Sequence, residues 1–350
     1  MNLDEILLKA EREHALTRGE IVKLLKTRGE DLKKLYKAAD RVRSKYMGDT
    51  VYLRGIIEFS NYCKQNCKYC GLRRDNHRLE RYRLQPEEIV SMAEKATKLG
   101  YKTVVLQSGE DDYYDTDMVE WIIREIKNRM DTAITLCIGE REYEEYKVWR
   151  EAGADRYLIR HETADPGLYH RLHPGMSLEQ RIERLRWLKE LGYQVGSGNL
   201  IGLPDQDEES ISRDILLFKE LDLHMVGLGP LVVNPDTPLK DYHNGSVEMA
   251  LKTIAITRLL LPLAHIPGTT ALGSLDPEGR QKALKAGANV VMPNVTRGKY
   301  RPLYELYPAK ICVDEEPENC RQCIGSIITS LGRVVGTDYG HSPRIEKGEV

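Results

Sequence analysis

The sequence lacks most of the features that would assign it to a class at once. No apolar run is long enough to cross a membrane, and the opening stretch MNLDEILLKAEREHALTRGE carries charges throughout, unlike the apolar centre of a secretion signal. Neither sign of charge is in excess. With 52 basic and 54 acidic residues the formal net charge is -2, which leaves no basic face for a nucleic-acid backbone. Seven cysteines in 350 residues are too few and too clustered for a disulfide scaffold. Phenylalanine is nearly missing, with two residues against nineteen tyrosines, and 30% of residues are charged, a balance that points to a heat-adapted source and says nothing about function. The expectation is a cytoplasmic protein with no membrane or nucleic-acid partner, whose cysteines serve as ligands.

One joint recurs along the chain. KLGYKTVVL, EAGADRYLI, ELGYQVGSG and KAGANVVMP each read as a helix end, a stop and a short apolar strand. Gly100, Gly153, Gly192 and Gly287 stand where a helix C-cap needs left-handed backbone, and Asp222 takes that place in ELDLHMVGL. Adding strands at 51–59, 133–138 and 266–271 gives eight, separated by amphipathic stretches such as 86–99, 177–191 and 208–221. Such alternation implies parallel strands joined by helical crossovers, and eight units close into a (β/α)8 barrel of ordinary length. The rival, an open doubly wound sheet, would carry GxGxxG after its first strand, and none is present. The expected organisation is a helical extension at 1–50, the barrel at 51–300 and a cysteine-bearing tail at 301–350. In a barrel, reactive residues gather at the carboxyl ends of the strands. Polar or glycine-rich clusters follow the strands accordingly: SNYCKQNCKYC, QSGE, RHET, GNLIGLP and TTALG.

Cys63, Cys67 and Cys70, spaced CxxxCxxC, put three thiols in one loop after the first strand. Thiolates are the ligands of iron-sulfur clusters, and a cubane held by three leaves one iron open for chemistry. Zinc remains an alternative with His77 as a fourth ligand.

CxxxCxxC at this place, with Tyr69 before the last cysteine, resembles the radical S-adenosylmethionine (SAM) superfamily. EFSNYCKQNCKYCGLRRDN, VLQSGE, GADRYLIRHET, GLGPLVVNPDTPL and AGANVVMPN are similar more narrowly to the HydE-type maturases of FeFe-hydrogenase. The resemblance implies a 4Fe-4S cluster whose open iron chelates SAM, one-electron cleavage of SAM to a 5'-deoxyadenosyl radical, and work on a small iron- or sulfur-containing substrate supplied by a partner maturase. It further implies an electron donor such as ferredoxin or flavodoxin, and other hydrogenase maturases as partners. Residue by residue, it places Tyr69, Gln107, Ser108, Gly109 and Glu110 beside the cofactor. Glu162 falls at the SAM ribose and Arg181 at its methionine carboxylate. Ser108 departs from the Gly-Gly-Glu usual in the superfamily. On the residues alone, Glu162 also reads as an ion-pair partner of Arg160, and Arg181 as a charge on a solvated helix face.

The resemblance also puts Arg160, Met225, Thr269, Thr270, Met292, Tyr304 and Tyr307 around an anion-binding substrate pocket, at or near the rim. Methionine at a strand end also serves as core filling, and the two tyrosines as surface packing of the tail. Cys312, Cys320 and Cys323 match a place where the family sometimes holds a second, 2Fe-2S cluster; zinc or free thiols are the alternatives. Cys137, alone in a predicted strand, reads as core. The arginine-rich run GLRRDNHRLERYR reads first as solvated surface and second as positive charge that stabilises a reduced cluster or receives the electron donor. Other barrels of the superfamily, methylornithine synthase or a biotin-synthase-like enzyme, are the near rivals, and a non-catalytic iron-sulfur carrier the distant one.

Overall fold

Five helix ends turn as the sequence predicts. In the computed structural model, which describes residues 1–346, Gly100, Gly153, Gly192 and Gly287 take φ of +83°, +115°, +78° and +109°, and Asp222 takes +49°. Aspartate is one of the few side chains that tolerates this backbone, because its short polar group bonds locally. The last four residues of the expected tail, 347–350, lie outside the described residues.

Each turn feeds a strand. The strands in chain order are β1 Thr50–Leu53, β2 Gly55–Ser60, β3 Thr103–Ser108, β4 Ala133–Cys137, β5 Arg156–Leu158, β6 Gln194–Ser197, β7 Leu200–Ile201, β8 Met225–Val226, β9 Gly229–Pro230, β10 Val290–Val291 and β11 Val334–Val335. β2, β3, β4, β5, β6 and β8 lie side by side in that order, all parallel. Helices Pro86–Lys98, Thr116–Arg129, Tyr143–Glu151, Leu178–Glu190 and Glu208–Glu220 make the crossovers between them.

The ring then closes through isolated pairings. Met225 bridges His265, Pro267 bridges Val290, and β10 pairs with β1 at Tyr52↔Val290 and Leu53↔Val291, every contact parallel. This closure removes the open-sheet alternative and gives a (β/α)8 barrel. The expected strand at 266–271 is reduced to those bridges. Pro267 has no N–H to offer a ladder, and Thr269 already stands at the N-cap position of a helix running Thr270–Leu275. Beyond the ring, β7 and β9 pair to raise one side of the mouth.

Outside the ring, helix Val247–Leu260 is buried along its whole last three turns, between the barrel and helix Gly29–Met47. The end of the chain does something no motif announces. β11 pairs with the start of β1, and the following residues seal the floor. Arg156 donates to the carbonyls of Tyr339 and Gly340 at 2.7 and 2.9 Å, Arg54 donates to Gly340, and Gln194 accepts from the Ser342 amide at 2.8 Å. These contacts close the floor, which leaves the carboxyl ends of the strands as the mouth among the described residues.

Candidate active site

The three cysteines sit on a loop that leaves β2 and is tied down from several directions. Asn61 is buried; its amide donates to the carbonyls of Glu80 and Leu303 at 2.8 and 2.7 Å, and its oxygen accepts from the Tyr82 amide. The Lys64 amide donates to the Glu110 carbonyl at 2.8 Å, that of Lys68 to Leu172 at 2.9 Å, and that of Gly71 to Leu306 at 2.9 Å. Burial raises all three thiols above their ordinary range. Cys70 is pushed up to about 12 by burial and then by Cys63; Cys67 rises by burial and by the nearness of Cys70 and Cys63. Three sulfurs that oppose one another's ionisation are grouped, yet among the described residues no three His, Cys, Asp or Glu side chains stand close enough to share one metal ion. A cubane, which gives each thiolate its own iron, does not require such convergence. The ionisable groups acting most strongly on the thiols include neither a histidine nor a fourth cysteine, and His77 is exposed.

Facing that loop, β3 ends in Gln107 and Ser108 and turns through Gly109 into Glu110. A Cβ on Gly109 would lie 2.1 Å from the Tyr62 carbonyl oxygen and 2.8 Å from the Cys63 Cβ, so the turn and the cysteine loop are packed backbone to backbone. Glu110 is buried and accepts from Gln65 Nε2 of the cysteine loop at 2.6 Å. Arg181 is no surface charge. It is 8% exposed, donates to Glu140 at 2.5 Å and to the Arg160 carbonyl at 2.7 Å, and its third nitrogen lies 3.9 Å from Glu110. Glu162 has φ of +63°, an unusual backbone for a non-glycine residue, held by its amide donating to the Gly198 carbonyl at 2.9 Å. Its Oε2 lies 3.0 Å from Arg160 Nη2, within ion-pair distance but without hydrogen-bond alignment, and burial raises its carboxyl against the pull of Arg160 and Arg181.

Tyr69 Oη lies 2.9 Å from His173 Nε2, and His173 stacks on Tyr169 with centroids 4.1 Å apart. Burial lowers His173 to about 3, so the ring is neutral. From the tail, Tyr304 is 2% exposed with Gln107 and Glu58 acting on its hydroxyl, while Tyr307 lies near Ser274 and is pushed up to about 12 by burial. Both tyrosines therefore belong to the mouth and not to an outer surface. Thr269 leaves a buried hydroxyl without a partner, Thr270 accepts from Arg280 at 3.3 Å, and half-buried Met292 follows β10.

Two expectations need correction. Met225 opens β8, below the rim: its sulfur accepts from Arg54 at 2.9 Å, and Arg54 also holds the floor. Cys137 ends β4 only partly buried, and the charges that act on its thiol are Arg160, Glu162 and Arg181, so it belongs to the mouth, not the packed core.

Residues 57–218 match the family model described as Radical SAM superfamily. The [FeFe] hydrogenase maturase subunit HydE of Thermotoga maritima is 50% identical over 97% of this chain and 98% of its own. The chain belongs to the radical SAM superfamily, in the HydE family. A 3-methylornithine synthase of Methanosarcina acetivorans is 34% identical over 75% of this chain and 74% of its own. The crystal structure of a methylornithine synthase superposes with a TM-score of 0.83 at 29% identity, over 95% of this chain and 97% of that one.

As a radical SAM enzyme, the chain has to hold a 4Fe-4S cluster and SAM, and the mouth fits both. Three grouped thiols, with no fourth cysteine or histidine acting on them among the described residues, suit a cubane with an open iron. Glu162 Oε2, Asn199 Oδ1 and Arg160 Nε are buried without hydrogen-bond partners, the state of polar atoms that await a ligand. The tail cysteines are less convergent. Cys312 and Cys320 are near enough that Cys320 lowers the Cys312 thiol, while Cys323 is exposed.

Several mouth residues escape sequence reasoning. Buried Glu58 on β2 accepts from Asn294 Nδ2 at 2.5 Å and pairs with Lys310. A carboxylate inside the apolar run GIIEFS was its signal. Asp214, raised to about 7 by burial, accepts from Asn199 at 2.8 Å and from the Ala164 amide at 2.6 Å, bracing the Glu162 turn; nothing in its helix marked it.

Proposed function

We propose that this enzyme cleaves SAM reductively and applies the radical to a small iron- or sulfur-bearing anion during assembly of the FeFe-hydrogenase active site. One observation carries the reading: a loop with three grouped thiols and, among the described residues, no fourth cysteine or histidine acting on them, facing Glu110, Glu162 and Arg181 across the mouth of a barrel sealed at its floor. When bound, the cluster supplies one electron and SAM supplies the carbon-sulfur bond that breaks to a 5'-deoxyadenosyl radical. The protein's part is to bind and orient. Gln107 to Glu110 receive the methionine amino group, Arg181 its carboxylate, Glu162 the ribose hydroxyls, and Tyr69 packs beside the cofactor. Arg181 is already engaged by Glu140, which fixes its plane and leaves one nitrogen for a ligand.

Arg160, Thr269, Thr270, Tyr304, Tyr307 and Met292 line the space for substrate, with Met225 beneath. An anionic occupant is supported by the unpartnered Nε of Arg160 and hydroxyl of Thr269, and by Arg54 and Arg156 below, neither of which forms an ion pair among the described residues. Cys312, Cys320 and Cys323 hold an accessory 2Fe-2S cluster, outside the chemistry. The electron comes from a ferredoxin or flavodoxin, the substrate from a partner maturase, and the setting is the cytoplasm, where thiolates stay reduced. Among the described residues no helix is long and apolar enough to cross a membrane. The test is anaerobic reconstitution followed by dithionite and SAM: 5'-deoxyadenosine must appear, and its absence from cluster-loaded protein ends the reading.

A further inference from the structure

The arginine run after the cysteines resolves into two kinds of residue. Four of its members pair with carboxylates: Arg73 and Arg74 share Asp75 at 3.8 and 3.2 Å, Arg78 meets Asp236 at 2.9 Å, and Arg83 meets Asp111 at 2.8 Å. Arg74 and Arg78 point to solvent, as a charge run usually does. Arg81 is different. It is half-buried and, among the described residues, forms no ion pair. Its Nη1 donates to the carbonyls of Asn61 and Leu72 at 2.5 and 3.0 Å, and its Nη2 to those of Arg73 and Asn76 at 2.8 and 3.1 Å. Asn61 stands two residues before Cys63, and Leu72 two after Cys70. One guanidinium thus staples the two ends of the cysteine loop together, and after burial the groups that act on its charge most are Cys63 and Cys70.

We infer that Arg81 is a positioning residue for the electron-transfer step: its fork closes the cysteine loop, and its unpaired positive charge favours the reduced state of the cluster that Cys63, Cys67 and Cys70 hold. Adding an electron to a thiolate-ligated cluster raises local negative charge, and an uncompensated cation beside two of the ligands offsets it. A cation already neutralised by a carboxylate, such as Arg83, would do this far less. Only the fixed fork of arginine reaches four carbonyls at once; lysine keeps the charge and loses the geometry. This inference rests on the function proposed above, since it presupposes the cluster.

The test separates charge from geometry. Wild type, R81K and R81Q are reconstituted anaerobically, iron and sulfide are counted, and the loaded fraction is titrated with redox mediators and followed by electron paramagnetic resonance. At the wild-type midpoint, R81Q is expected to show about a tenfold lower ratio of reduced to oxidised cluster, the order of effect that one nearby unit charge produces at the protein's effective dielectric. R81K is expected to titrate within about twofold of wild type while losing iron faster to a chelator, having given up the fork. A loaded R81Q that titrates with the wild type, or an R81K shifted as far as R81Q, overturns the inference and leaves Arg81 a structural staple. If R81Q takes up no cluster, R81K decides alone: a reduced-to-oxidised ratio within about twofold of wild type together with faster iron loss upholds the inference, and a ratio about tenfold lower overturns it. Wild-type protein that takes up no cubane would instead defeat the functional reading itself.

Discussion

Replacing Gly109 with alanine tests whether the turn after β3 and the cysteine loop form one rigid unit. The new Cβ would stand 2.1 Å from the Tyr62 carbonyl oxygen, whereas carbon-oxygen contacts in proteins rarely fall below 3 Å. Neither partner is a flexible side-chain end, so backbone has to move by about 1 Å, and the piece able to move carries Cys63. A displacement of about 1 Å at a reacting centre costs on the order of 100-fold in rate, while overpacking on this scale costs about 1–3 kcal/mol of stability. G109A should therefore fold, melt several degrees lower and form 5'-deoxyadenosine about 100-fold more slowly per loaded cluster. The assay is single-turnover deoxyadenosine formation normalised to iron content, beside a thermal melt. A variant with normal melting and an undiminished rate per cluster would show that the two segments are not coupled as their packing implies.

Three further outcomes follow from the same geometry. E162Q keeps the shape of Glu162 but removes its charge and the ion pair with Arg160, so SAM should bind about tenfold more weakly by calorimetry on cluster-loaded protein, a loss of about 1.4 kcal/mol; unchanged affinity would remove Glu162 from the cofactor site. Because burial holds the cysteines as thiols well above their usual range, forming the cluster expels protons. Cluster retention against a fixed chelator should therefore strengthen as pH rises from 6.5 to 8.5, by up to about tenfold per pH unit for each proton released, and a flat profile would contradict that. C323S should lower iron by about two atoms per chain and leave deoxyadenosine formation as it was; unchanged iron would leave the tail without a cluster.

The scaffold was legible because helix ends obey local rules. Each turn at Gly100, Gly153, Gly192 and Gly287 needs a backbone that few residues accept, and Asp222 could be recognised in the same role because the apolar strand follows it. The cysteine loop was equally plain, since its three ligands lie within eight residues. Depth inside the barrel was not. Met225 opens a strand of two residues and Cys137 ends one of five, and the sequence carries no marker of how far along the barrel axis each strand begins and ends. The segment at 266–271 has strand-like composition, but Pro267 and Thr269 at the N-cap position override it. The tail's double role was also hidden. Tyr304 over the mouth, and Tyr339 to Ser342 under the floor, meet residues more than a hundred positions away that no local pattern encodes.

The central claim is that one iron at the mouth has no protein ligand and accepts SAM. Electron paramagnetic resonance of the dithionite-reduced, anaerobically reconstituted enzyme, recorded before and after adding SAM, tests it most directly. The account predicts that the cubane signal changes shape and position as SAM binds, saturating near one equivalent per cluster. A reduced-cluster spectrum that stays the same at excess SAM would mean that every iron is already capped, and would contradict the account.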